Sequence, residues 1–268
     1  MRQYDDEFKT QQRTSLSILK EFGFGNRILE TRILTEVSDL ILRAKELNGD
    51  PFDPDFILTR AVSNVIYSIL FGNRLDCSGS KMENLINLMR AFMRCHCPEV
   101  DILPLLKHIP KYEKKLAQAV FNFDQLLDFI DRDIDDETEE LEVESFIKIY
   151  SRHEASRMKI KLLVCDLLMA GTETSSTTLK WGLILLVNNP KVQRRLQTEI
   201  DSVVPRGKRL PKFDDRSHLP YVEAFILEVM RYKTIAPFTA PHKTLCDTQV
   251  NGYFIPKETV VGFLLLYK

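Results

Sequence analysis

The chain has 268 residues, of which 44% are hydrophobic and 28% charged, and its formal net charge is -1. That length buries a substantial core, and the balance of residue types is that of a globular protein. Neither the bulk charge nor any Lys/Arg-rich run interleaved with aromatics points to nucleic acid, so a nucleic-acid partner is set aside.

Taken in chain order, residues 7–20 and 27–47 repeat apolar side chains every three or four positions and predict two helices, with Phe22-Gly23-Phe24-Gly25 as the turn between them. Asp53-Pro54 reads as an N-cap followed by proline at the first helical position. The helix it opens runs to about Phe71, where Gly72 ends it. Another helix covers about Lys81 to Cys95, and Pro98, Pro104 and Pro110 then break the chain. A helix from about Lys111 to Asp133 leads into an acidic stretch, Asp131 to Glu144, read as a solvated loop plus a helix start. The longest element spans roughly Ser156 to Asn188. It is apolar nearly all round, which predicts a path through the interior. Asn189-Pro190 starts a helix to about Val203, Pro205 to Pro211 is a basic loop, and a last helix spans about Pro220 to Tyr232.

Beyond Tyr232 the pattern changes. Thr248-Gln249-Val250 and Tyr253-Phe254-Ile255 flank Asn251-Gly252, a strong two-residue hairpin signal. Pro256-Lys257-Glu258 is a turn, and Thr259-Val260-Val261 reads as a further strand. The expected fold class is mainly α, with residues 1–232 mostly helical and residues 233–268 forming a small C-terminal β-region.

Five cysteines (Cys77, Cys95, Cys97, Cys165 and Cys246) at irregular spacing do not form a disulfide framework, and favour a reducing compartment. Cys95-His96-Cys97 has no second ligand pair at zinc-site spacing, so both cysteines read as semi-buried helix residues and no metal ligand is assigned. The polar start, Met1 to Glu7, and the lack of any apolar run of spanning length predict a chain without an anchor, soluble in the cytoplasm as it stands. The apolar run from Val260 to Tyr267 suggests a truncated product, since domains rarely end on such a stretch undocked.

Two motifs carry chemistry. Ala170 to Thr178 sits midway along the longest helix, and six of the seven residues from Thr172 to Thr178 carry hydroxyls. Glycine there costs about 1 kcal/mol relative to alanine, and hydroxyls compete for helix carbonyls. Gly171 leaves room against the helix, while Glu173 and Thr174 supply an acid and an alcohol fit to relay protons into a dry pocket. A hydroxyl-rich helix packed closely on a neighbour accounts for the same residues equally well. The second motif is Glu228 and Arg231, three residues apart on the last helix. Ala224 to Met230 around them is apolar, which predicts a buried pair that locks the fold and bonds to other segments.

A-G-x-E-T in a long interior helix, E-x-x-R some fifty residues later and P-x-x-x-P-H-K-T after it together resemble the cytochrome P-450 monooxygenases, most closely their microsomal branch. Further stretches carry the likeness along nearly the whole chain: Ser15 to Gly25, Gly49 to Pro54, Phe71-Gly72-Asn73-Arg74, Asp215 to Tyr221 and Gly252 to Lys257. The resemblance implies a cytochrome P-450-like helical domain, here truncated at both ends. It implies an enzyme that uses haem and O2 to insert one oxygen atom into an apolar small molecule, with electrons from an NADPH-dependent flavoprotein reductase. It places proton delivery on Gly171, Glu173 and Thr174, the structural pair on Glu228 and Arg231, a haem propionate contact on His242, and the substrate pocket on Ala170, Ile235, Ala236 and Phe238. It also implies association of a full-length member with the cytoplasmic face of the endoplasmic reticulum membrane.

The chain departs from the family in two places. The late F-x-x-G-x-R-x-C-x-G segment, whose thiolate ligates iron, does not occur, and the segment with the third partner of Glu228–Arg231 is absent too. Phe71 to Gly79 imitates that segment around Cys77, but with one residue too many between Arg and Cys and at the wrong place in the chain. In the family's W-x-x-x-R helix, Phe8 takes the Trp place and Gln12 the Arg place, which leaves Arg13 to contact a propionate. Two functions are therefore expected: a haem-dependent monooxygenase, or an inactive truncated product serving at most as a scaffold or a partner-binding decoy.

Overall fold

Side-chain caps and left-handed glycines end the helices close to where the sequence places them. The computed structural model describes residues 5–22, 27–75, 80–95, 97, 99–100, 103–140, 145–154, 156–239 and 241–264. The turn glycines Gly23 and Gly25, His96, Cys77, Ala240 and the last four residues lie outside the described residues. Helix α1 (Asp6–Glu21) begins where the Asp5 carboxylate accepts the Phe8 N–H at 2.8 Å. Helix α2 spans Arg27–Glu46. Helix α3 (Pro54–Phe71) is capped by Asp53, which accepts the Asp55 N–H, and stops at Gly72 with φ of 80°, a conformation only glycine adopts without strain. Helices α4 (Ser80–Cys95), α5 (Pro110–Glu140), α6 (Phe146–Ser151), α7 (Arg157–Asn188), α8 (Pro190–Val203) and α9 (Pro220–Tyr232) follow, with 3₁₀ turns at Pro104–His108 and Phe213–His218.

The chain divides into two units, Met1–Ser176 and Thr177–Lys268. The first holds the main core. Leu70 and Phe71 of α3, Leu85, Ile86 and Met89 of α4, Leu126 and Ile130 of α5, Phe146 and Ile147 of α6, and Val164 and Leu168 of α7 are essentially inaccessible to water. Each such side chain contributes about 1.5–3 kcal/mol by leaving water.

The acidic stretch is helical as far as it is described: helix α5 continues to Glu140, and Asp131, Asp133 and Asp135 are held in place. Asp131 and Asp135, one turn apart, both accept from Arg157, at 2.7 and 2.6 Å. Arg157 is the main reason that the Asp131 carboxyl sits below its ordinary value, with Lys161 adding to the effect. Asp133 turns inward, 3% exposed, to Lys81 at 2.5 Å and the Tyr67 hydroxyl at 2.8 Å. Sequence charge alone cannot separate such gripped carboxylates from solvated ones.

In the second unit, Leu219 offers α9 no side-chain cap. Glu199 of α8 replaces one, accepting the Tyr221 and Val222 N–H groups at 3.0 and 2.9 Å. Lys233, just past α9, lies over the Trp181 ring at 4.4 Å. Arg209 grips Asp215 and holds its carboxyl down at about 2. Strand β1 (His242–Lys243) pairs antiparallel with β4 (Val260–Val261). Strands β2 (Thr248–Val250) and β3 (Tyr253–Ile255) form the expected hairpin, its turn made by Asn251 and Gly252 with φ of 48° and 83°. The fold class is thus mainly α with small antiparallel β-elements. Among the described residues no helix is long and apolar enough to cross a membrane.

Candidate functional site

The hydroxyl-rich run lies on α7, and its geometry follows from which flank of that helix is covered. Ile160, Val164, Leu168, Thr172 and Ser176, each four residues apart, are buried in the first unit. Leu162, Asp166, Ala170 and Thr174, at the same spacing, are exposed. The helix is therefore not enclosed all round. In the second unit its continuation is also open, with Leu179, Leu183, Ile184 and Val187 exposed. Apolar composition marks the surfaces a helix can bury, and the described residues cover only one flank.

Gly171 has a plain packing role. A Cβ there would sit 2.7 Å from Cδ1 and 2.9 Å from Cγ1 of Ile66 on α3. The room that the glycine leaves is thus filled by a neighbouring helix. The Thr172 hydroxyl beside it is fully buried and, like that of Ser63 on α3, finds no hydrogen-bond partner among the described residues.

Glu173 and Thr174 are adjacent in sequence and point about 100° apart around the helix. Thr174, on the open flank, donates to the Ala170 carbonyl at 2.6 Å. Glu173 is half-buried and turns to the Arg90 guanidinium of α4, with Nε to Oε1 at 3.4 Å. Acid and alcohol therefore belong to different flanks. Arg90 and Asp166 are the residues that sequence reasoning missed. Each left a faint signal: Arg90 is a charge next to the α4 core positions Leu85, Ile86 and Met89, and Asp166 is a carboxylate inside the apolar run Leu162 to Ala170. Asp166 shares the open flank with Ala170 and Thr174, and the protein mass around it pushes its carboxyl above the ordinary value.

The remaining predicted residues lie apart from α7's hydroxyl run in the chain. Glu228 and Arg231 form their pair, with contacts of 2.6 and 2.7 Å. The expectation of burial is wrong, because their side chains are 55% and 41% exposed. Only Val229 of α9 is buried, and Ile226, Leu227 and Met230 are open. The apolar surroundings read from the sequence are real, but nothing among the described residues covers them. His242 is exposed in β1, its ring 6.5 Å from that of Phe263. Ile235, Ala236 and Phe238 are exposed, and Phe238 bridges to Leu264. Arg13 is exposed on α1, as is Gln12. Cys95 is half-buried at the end of α4, while Cys97 is buried beyond the helix rather than in it.

The donor chemistry for iron is unfavourable. Burial, aided by the Asp166 charge, pushes the Cys165 thiol up to about 12, so it stays protonated, with Met169 Sδ at 3.8 Å. The open flank of α7 carries small Ala170 between Asp166 and Thr174, and no described cysteine lies on it as a thiolate ligand.

The family model for cytochrome P450 matches residues 2–267. The chain belongs to the cytochrome P450 family. It is 37% identical to cytochrome P450 2F5 of Gorilla gorilla gorilla and to cytochrome P450 2F1 of Homo sapiens, and 35% identical to cytochrome P450 2C14 of Oryctolagus cuniculus. The alignments cover 95–97% of this chain and 55–56% of those proteins, so the chain spans about half the length of the curated relatives it matches.

Proposed function

We propose that the protein is a haem-dependent monooxygenase that inserts one oxygen atom from O2 into an apolar organic substrate. The observation that carries this is the pairing of family membership with the α7 flank, where Ala170 and Thr174 face open space beside a hydroxyl-rich turn. When bound, haem would supply oxygen activation. The chain's own residues have other work. Thr174 holds a proton at its Oγ1, with Ala170 O as the resting acceptor. Glu173 supplies the acid of the pair from the adjacent flank. Ala170 of the first unit offers a small apolar surface to a substrate, and resemblance to the family assigns the same role to Ile235, Ala236 and Phe238 of the second. By resemblance to the family, His242 and Arg13 would each hold a haem propionate, while Glu228–Arg231 links successive turns of α9. A flavoprotein reductase that draws on NADPH supplies the electrons.

The test is the absorption spectrum of the reduced, carbon-monoxide-bound protein, expressed from its complete coding sequence with haem supplied. A thiolate-type band is expected, and its absence would overturn the reading. The 268 residues alone should give no such band, because they contain no cysteine in the ligand setting. A thiolate-type band from them that is lost on Cys77→Ala would reverse that statement.

Membrane association is proposed through the turn at Pro104–His108. Leu105 is 74% exposed, Leu103 and Ile109 are open beside it, and Lys107 and Lys111 flank them. Such apolar tips next to cations suit an anionic bilayer surface. Co-sedimentation with phosphatidylcholine–phosphatidylserine vesicles should fall on Leu105→Asp. Undiminished binding would count against this contact.

A further inference from the structure

Glu173 does not reach toward the flank that carries Thr174, and the reason lies on two other helices. Arg90 of α4 is half-buried and bonded on several sides. Its Nη2 lies 2.8 Å from Asp55 Oδ2 and donates to Thr59 Oγ1 at 3.1 Å, both on α3. Its Nε faces Glu173 at 3.4 Å. Asp55 is itself fixed, because it is at the capped first turn of α3, where its N–H donates to Asp53. Thr59 is fully buried, and its hydroxyl also donates to the Asp55 carbonyl at 2.7 Å. The guanidinium is thus set by the start of α3 before it meets Glu173. A planar fork held at one end presents its remaining N–H in a fixed direction, which a flexible ammonium does not do.

We propose that Arg90 is a positioning residue for Glu173. Anchored by Asp55 and Thr59, it keeps the carboxylate on the α3–α4 side of α7, one flank away from Thr174. This rests on the reading that Glu173 and Thr174 handle protons, but its first test needs neither haem nor turnover. Gly171 tightens the arrangement. Its contact with Ile66 brings α7 against α3, on which Asp55 and Thr59 also lie.

The experiment uses nuclear magnetic resonance on the labelled 268-residue chain. Hydrogen exchange of the Arg90 Nε–H should quicken about threefold in Glu173→Gln, the modest effect of losing one long, partly exposed ion contact. The Glu173 carboxyl carbon signal should move in Arg90→Met and return only part of the way in Arg90→Lys, which restores the charge but not the planar fork. A merely structural arginine would alter the melting temperature without that Lys-specific return. Unchanged exchange in Glu173→Gln, or a Glu173 signal unmoved in a folded Arg90→Met, would overturn the proposal. Neither result bears on the carbon-monoxide spectrum, so failure here and failure of the monooxygenase reading are separate outcomes.

Discussion

Asp133→Ala should cost about 1–3 kcal/mol of stability, the usual loss when a buried donor is left without its acceptor. Asp133 is 3% exposed and joins three helices: its own α5, α4 through Lys81 and α3 through Tyr67. Alanine would leave the Tyr67 hydroxyl, on a side chain that is only 5% exposed, without its carboxylate acceptor. Lys81 would fare better, because its side chain is 46% exposed and its ammonium can turn to water. The larger share of the loss therefore comes from Tyr67 and from the vacated space. Tyr67→Phe combined with Asp133→Ala should consequently lose less than the sum of the two single changes. Urea unfolding followed by circular dichroism measures all three proteins. A loss below about 1 kcal/mol for Asp133→Ala, the range of exposed pairs, would show that the carboxylate is solvated after all.

The second large effect is expected at Gly171. Valine there should destabilise by about 2 kcal/mol, within the range for overpacking a tight contact. Two opposing terms meet at this position. Removing a helix-interior glycine gains up to about 1 kcal/mol of helix propensity. The added carbons would overlap Cδ1 and Cγ1 of Ile66, the nearer already 2.7 Å from an ideal Cβ. Cδ1 can swing aside, but Cγ1 is closer to the backbone and moves less, so the overlap outweighs the gain. In an Ile66→Ala background the same valine should be nearly neutral, because the side chain it strikes is gone. Equal penalties in both backgrounds would place the strain elsewhere. The same thermal or urea melts decide it.

Glu228 and Arg231 illustrate one limit of reading a sequence. The spacing of three correctly predicts that the side chains meet, since helix geometry is local. Burial depends on what lies across from α9, and the apolar neighbours Ile226, Leu227 and Met230 show only that the surface suits covering. The acidic end of α5 shows the opposite error. Its carboxylates look solvated by composition, yet Arg157, Lys81 and Tyr67 reach them from residues 22 to 66 positions away. No local pattern announces partners at such separations. The glycine in A-G-x-E-T was legible as a need for space, but the identity of Ile66 as the occupant was not.

The long hydroxyl-rich helix is where the two levels separate most clearly. By itself the sequence determined the helix and its limits, the hairpin at Asn251-Gly252, the caps at Asp53 and Gly72, and the family, because all of these rest on local spacing or on residue motifs. The tertiary structure alone decided that Glu173 and Thr174 face different flanks of α7 and that Arg90 is the charge that Glu173 meets. The physical reason is that a helix fixes the angle between neighbouring side chains, while the charges and surfaces they meet are set by helices distant in the chain.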